Sequence, residues 1–153
     1  MSGWSRWTTQ PTTVWSKGAG SMEYTKLGNS DLTVSRICMG CMGFGDPHNG
    51  QHSWTLDEGH SREIIQRGLE LGVNFFDTAI GYQSGTSEQY LGRALRDFAK
   101  REDVVVATKF LPRTQEEIAA GVSGQQHIET MVNTSLRNLG TDYIDLYIYH
   151  MWD

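Results

Sequence analysis

Asp103-Val-Val-Val-Ala-Thr-Lys-Phe110 is the stretch that decides the fold. Its apolar residues run on without alternating with polar ones, and they include three consecutive valines. An extended segment of that kind has both faces covered, which suits a strand inside a parallel sheet. The segments on either side supply the helices that such a sheet needs. Upstream, Ser87–Phe98 sets Tyr90, Leu91, Ala94, Leu95 and Phe98 on one helical stripe, and Val73–Asp77 is a short apolar strand closed by a carboxylate. Downstream, Thr114-Gln-Glu-Glu117 has the spacing of a capped short helix. Ile128, Val132, Ser135, Leu136 and Leu139 then mark a longer helix ending at Gly140, and Tyr143–His150 reads as the last strand.

Further upstream the same alternation holds. Thr55 and Glu58 have capping-box spacing, and Ile64, Ile65, Gly68 and Leu69 recur at helical spacing, so a helix is predicted over Leu56–Leu71 with Gly72 as its C-terminal cap. Before it lie a short strand, Ile37–Met39, and a glycine-rich loop, Gly40–Trp54. Glu23–Lys26 and Leu32–Ser35 flank the turn-forming Gly28–Asp31 and read as a β-hairpin. The order is a hairpin followed by β-α-β-α-β-α-β, which calls for right-handed crossovers and a parallel sheet. Met1–Ser21 holds three of the five tryptophans and has no period; it is expected to be a disordered leader or tag, with the globular part at 22–153.

Composition removes several classes. With 13 basic and 18 acidic side chains the net charge is −5, and no basic stripe is present, so binding to nucleic-acid phosphates is not expected. The apolar run around Val104–Ala107 is far short of the ~20 residues that cross a bilayer. Two cysteines make no disulfide framework, and a cytoplasmic location is expected.

In parallel α/β folds ligands bind beyond the carboxyl ends of the strands. One predicted strand ends at Asp77, with Tyr82 on the loop after it; the next ends at Lys109 and the last at His150. These residue types combine into one chemistry. A phenol titrates near ~10, too high for efficient proton transfer at neutrality, and a neighbouring ammonium favours the phenolate. Lys109 supplies the ammonium, Asp77 holds it, Tyr82 is the acid, and a ring N–H of His150 orients a carbonyl. No nucleophile with its base and no metal cage is among them. The set suits protonation of an alkoxide formed from a carbonyl by hydride from a cofactor.

Other signals point less far. Cys38-Met-Gly-Cys41 has C-x-x-C spacing but runs off a strand, where residues three apart face opposite sides, so a redox or metal role is not expected. His48 and His52 stand among Pro47, Asn49 and Gly50, which break the helix that would make them a metal pair. Asp142 and Asp145 open a strand, roughly 16 Å from His150 in the case of Asp145 at ~3.3 Å per residue, and are expected to cap or be solvated.

Gly72-Val-Asn-Phe-Phe-Asp-Thr-Ala-Ile-Gly-Tyr82, Gly85-Thr-Ser-Glu88 with Leu91-Gly-Arg-Ala-Leu95, Ala107-Thr-Lys109-Phe, and Ser135-Leu-Arg-Asn-Leu-Gly-Thr-Asp-Tyr-Ile-Asp-Leu-Tyr-Ile-Tyr-His150 together resemble the aldo-keto reductase family. The resemblance runs from Glu23 to the C-terminus. It implies an α/β fold, the N-terminal half of a (β/α)8 TIM barrel of about four β/α units preceded by a β-hairpin, and reduction of a small aldehyde or ketone with NADPH. It implies Tyr82 as proton donor beside Asp77, Lys109 and His150, and a cofactor site at Gly40, Cys41, Met42 and Asp77. The family's first strand usually ends Gly-Thr-Trp or Gly-Thr-Met, where Gly40-Cys41-Met42 stands here. An eight-stranded barrel takes ~250 residues, so a truncated chain is expected, without the family's adenosine-phosphate segments, and self-association through exposed strand edges is expected of it. A regulatory protein resembling the potassium-channel β subunits, or an inactive self-associating half-barrel, remain alternative readings.

Overall fold

The computed structural model describes residues 21–151. The expected leader, apart from Ser21, lies outside the described residues. Strands β1 (Tyr24–Lys26) and β2 (Thr33–Ser35) pair antiparallel, Tyr24 opposite Ser35, and form the predicted hairpin. Gly28 at its turn has φ +58°, which glycine adopts without a Cβ penalty.

Beyond the hairpin come β3 (Met39–Gly40), α1 (Glu58–Glu70), β4 (Phe75–Asp77), α2 (Thr86–Phe98), β5 (Val105–Phe110), α3 (Gln115–Ala119), α4 (Gly124–Leu139) and β6 (Leu146–Tyr149). The four later strands form one sheet in the order β3-β4-β5-β6, every neighbouring pair parallel. Strands in chain order joined by helices are the run of β/α units that the alternation predicted. Phe76 and Val106 on one face of the sheet meet Ile65 and Leu69 of α1, Leu91 and Leu95 of α2, and Leu139 of α4 in a single buried cluster. The register places Phe75, Asp77, Val105, Ala107, Lys109, Leu146 and Ile148 on the other face. Along that row Val105 and Ala107 are buried, whereas Leu146 and Ile148 are half-buried.

The start of α1 departs from expectation. Asp57, not Thr55, is its N-cap, with φ −60° and ψ 173°, and its carboxylate accepts from His60 N–H at 3.0 Å. The reason is tertiary: the Leu56 N–H donates to Gly43 O and the Leu56 carbonyl accepts from Gly45 N–H, so the chain at 56 is committed to the glycine-rich loop and helix cannot begin there. Ile64 is 43% exposed, and Ser61 shares the buried face with Ile65, Gly68 and Leu69 instead. The expected cap at Thr114 and the expected stop at Gly140 are present, whereas α2 opens at Gly85 without a side-chain cap. Capping boxes at Thr114/Glu117 and Ser123/Gln126 open α3 and α4, and Gly140, at φ +64°, closes α4.

Helices α2 and α4 touch at Gly92, where an added Cβ would fall within contact distance of the Leu139 backbone carbonyl. A backbone group cannot swing aside as a side chain can. Gly92→Ala is therefore expected to destabilise the fold by about 1–3 kcal/mol, as overpacking does. A urea midpoint equal to the parent's would show that the two helices separate at no cost.

Candidate active site

The peptide after β4 stays against β5. Thr78 N–H donates to Ala107 O at 2.9 Å and Ile80 N–H to Lys109 O at 3.0 Å, which delivers Tyr82 to a 3-10 turn (Tyr82–Gly85) leading into α2. On the other edge, His150 N–H donates to Phe110 O at 3.0 Å. The three strand ends are thus tied together by backbone bonds, and their side chains converge.

Lys109 is the centre of the group. Its ammonium donates to Asp77 Oδ2 at 2.7 Å, to the Thr78 carbonyl at 2.8 Å and to the Tyr82 phenol oxygen at 3.3 Å. A lysine has three N–H donors, so each is committed, and the ammonium stands as a fixed positive charge beside the phenol. The ammonium also lies 5.0 Å from the Tyr82 ring centroid. The His150 ring meets that of Tyr82 edge-on, centroids 5.7 Å apart at 79°. Its buried Nδ1 finds no hydrogen-bond partner among the described residues. Burial, and then the Lys109 charge, hold the His150 pKa below the ordinary histidine value against the opposing pull of Asp77. A neutral imidazole with one N–H to give follows.

At the end of β3 the three expected cofactor contacts separate. Cys41 is fully buried: its N–H donates to Asp77 O at 2.8 Å, its carbonyl accepts from Ser87 Oγ at 2.7 Å, and its thiol donates to Met39 O at 3.4 Å. Gly40 and Met42 are exposed beside it. Both cysteines are free thiols. Burial, and then Asp77, push the Cys38 pKa up to about 11, and burial raises Cys41 as well, the opposite of what thiolate chemistry needs. His48 is exposed, and His52 stacks on Trp54 at 4.7 Å. Asp145 is not solvated: it accepts from Arg101 at 2.6 Å and from Val106 N–H at 2.9 Å, and ties the start of β6 to β5.

Two polar residues around the site carry no clear signal in the sequence. Gln83 is 2% exposed, and its amide donates to Asp46 O, His52 O and the Thr55 hydroxyl while accepting from His52 N–H. Those bonds oppose the cost of left-handed backbone at Gln83 (φ +47°) and Ser84 (φ +52°) directly after Tyr82. Glu88, 0% exposed, accepts from Thr108 Oγ1 at 2.6 Å and Asn138 Nδ2 at 2.8 Å, so it links α2 and α4 to the strand that carries Lys109.

Residues 36–153 match the Aldo/keto reductase family. The chain belongs to this family. It is similar to aldo-keto reductase YhdN of Bacillus subtilis (strain 168), 35% identical over 132 residues that cover 86% of this chain and 39% of that protein. Among solved structures it is similar to aldo-keto reductase AKR11C1 from Bacillus halodurans in its holo form, with TM-score 0.65, 37% identity, and 83% and 40% of the two chains covered. A Klebsiella pneumoniae aldo-keto reductase in complex with NADPH gives TM-score 0.60 and 26% identity over 79% of this chain and 37% of that one. The described parallel units are thus part of an aldo-keto reductase (β/α)8 barrel. The chain spans 35–48% of the length of the first curated relatives it matches. Asp77, Tyr82, Lys109 and His150 of this aldo-keto reductase all lie inside the matched segment.

Proposed function

We propose that this chain carries the proton-handling site of an NADPH-dependent reductase of small aldehydes and ketones. The observation that carries the reading is the Lys109 ammonium, spent on Asp77, Thr78 and the Tyr82 phenol. The Tyr82 hydroxyl is the acid that protonates the alkoxide oxygen of the product. The Lys109 charge stabilises the phenolate left behind, and Asp77 with the Thr78 carbonyl keeps that charge in place. His150, held neutral, donates from the ring nitrogen other than its buried Nδ1 to the carbonyl oxygen and orients it toward the phenol.

This donor set moves one proton and contains no source of hydride, which fits a nicotinamide. NADPH, when bound, supplies the hydride. Gly40 and Met42 are exposed beside Asp77, and nothing lies within 4 Å of where a Cβ on Gly40 would be, so a flat ring has room there. Gly40, Met42 and Asp77 would hold that end of the cofactor, and Cys41, with its groups committed, fixes the loop beneath. The test is consumption of NADPH that depends on an added aldehyde, in the protein that carries this chain; a saturating aldehyde panel without turnover would sink the reading.

The outer edges of β3 and β6 have no strand beside them among the described residues, and free edge N–H and C=O groups invite pairing. The 153-residue chain is expected to self-associate through them, with weak NADPH affinity. Sedimentation velocity together with a fluorescence titration checks this. A sharp single-chain boundary with micromolar NADPH affinity would overturn both expectations. No described helix is long and apolar enough to cross a membrane.

A further inference from the structure

Three segments meet at one buried imidazole away from the strand-end group. His127, in the first turn of α4, is 4% exposed. Its Nε2 lies 2.7 Å from the Leu111 carbonyl oxygen and its Nδ1 lies 3.0 Å from Glu117 Oε1. Both partners accept. A carbonyl has no proton to give, and the other Glu117 oxygen already accepts from Thr114 N–H at 2.8 Å, which together with His127 holds that carboxyl below the usual range. A neutral imidazole has one N–H, so the imidazolium alone satisfies both contacts. The charge stands at the end of α4 where the helix dipole disfavours a cation, which makes the Glu117 carboxylate necessary to it.

What the imidazole grips leads to the candidate site. Leu111 follows β5 directly, and its side chain lies 3.3 Å from where a Cβ on Gly81 would stand, one residue before Tyr82. On its other side Phe110 stacks on Tyr147 and Tyr149, each at 4.9 Å. We propose that His127 is a positioning residue for the Tyr82 turn: as an imidazolium it joins the Leu111 carbonyl to Glu117, and that clamp fixes the β5–α3 connector against Gly81. The inference rests on the reading of Tyr82 as proton donor for its functional meaning, though not for its geometry.

The charged groups that face the ring are Glu117 from α3 and Arg113 from the connector, whose guanidinium opposes the charge; β5 offers the Phe110 ring at 6.5 Å, and the first turn of α4 has no acidic side chain. Burial disfavours the charged ring, but the Leu111 carbonyl and then the Glu117 carboxylate outweigh it, and the pKa stands above the ordinary histidine value. With Glu117 ionised, the clamp is therefore complete below about pH 6.5, the unfolded value, and is lost as pH rises through the higher folded one.

Deuterium exchange at the imidazole C2, read peptide by peptide by mass spectrometry, follows the titration of His127 in the whole chain. Amide exchange in 111–122 and 78–83, corrected for intrinsic rates, follows the connector and the Tyr82 turn. Expected is a His127 midpoint above the ordinary value, with protection falling in both segments over the same pH interval, ~tenfold for each unit of separation. Glu117→Gln, which keeps an acceptor and drops the charge, should move the midpoint down and the loss of protection with it. His127→Gln should expose 111–122 at every pH. A midpoint at or below the ordinary value, or a 78–83 segment indifferent to the titration or to Glu117→Gln, overturns the proposal. Full activity in Tyr82→Phe would sink the donor reading and leave these exchange results as they are.

Discussion

Tyr82→Phe is expected to lower kcat for carbonyl reduction by at least ~10², the lower range for loss of a general acid. The substitution removes one oxygen and leaves the ring, so the edge contact with His150 at 5.7 Å and the ammonium 5.0 Å from the ring centroid persist. The bond that disappears is the long one, 3.3 Å from Lys109, and Lys109 keeps its shorter bonds to Asp77 and Thr78. Stability should therefore change by less than about 1 kcal/mol, and cofactor affinity should hardly move. Steady-state rates with a saturating aldehyde, beside a fluorescence titration of NADPH, separate the two quantities. Parental turnover in the phenylalanine variant would remove Tyr82 from the chemistry.

Lys109→Met is expected to act through charge. Methionine keeps much of the stem but removes the positive charge beside the phenol, so the negative charge that develops there during the reaction is no longer stabilised and the rate falls across the neutral range, by an amount comparable with Tyr82→Phe. Two acceptors, Asp77 Oδ2 and the Thr78 carbonyl, lose their donor as well. With Asp77 31% exposed at its side chain, water reaches it, and about 1–3 kcal/mol of stability should go rather than the larger loss of a fully buried pair. Asp77→Asn retains an acceptor for the ammonium and should show the same change in weaker form. The comparison is a pH–rate profile of parent and variant. Superimposable profiles would mean that the ammonium takes no part in the reaction.

Much of the site could be read before any coordinates because its members sit at strand ends. A parallel sheet sends every carboxyl end to one rim, so strand boundaries alone bring Asp77 and Lys109, 32 apart in sequence, to the same rim, where folding sets them 2.7 Å apart. The polar residues behind that rim were not readable in the same way. Glu88, Gln83 and His127 stand in segments whose local patterns fit exposed polar positions equally well. Each is buried because a partner arrives from elsewhere: Asn138 for Glu88, the 46–55 loop for Gln83, and Leu111 with Glu117 for His127.

The amino-acid sequence by itself determined the order of strands and helices, the parallel sheet and the convergence of Asp77, Tyr82, Lys109 and His150. Those follow from periods and caps written within ten or fifteen residues of chain. Tertiary structure alone decided that α1 opens at Asp57, since the Leu56 backbone is taken by Gly43 and Gly45, and that Cys41 turns inward while Met42 stays exposed. It also decided the charge that His127 must carry. Hydrophobic period is a local property of the chain, whereas the satisfaction of a buried polar group depends on donors and acceptors that only folding brings within 3 Å.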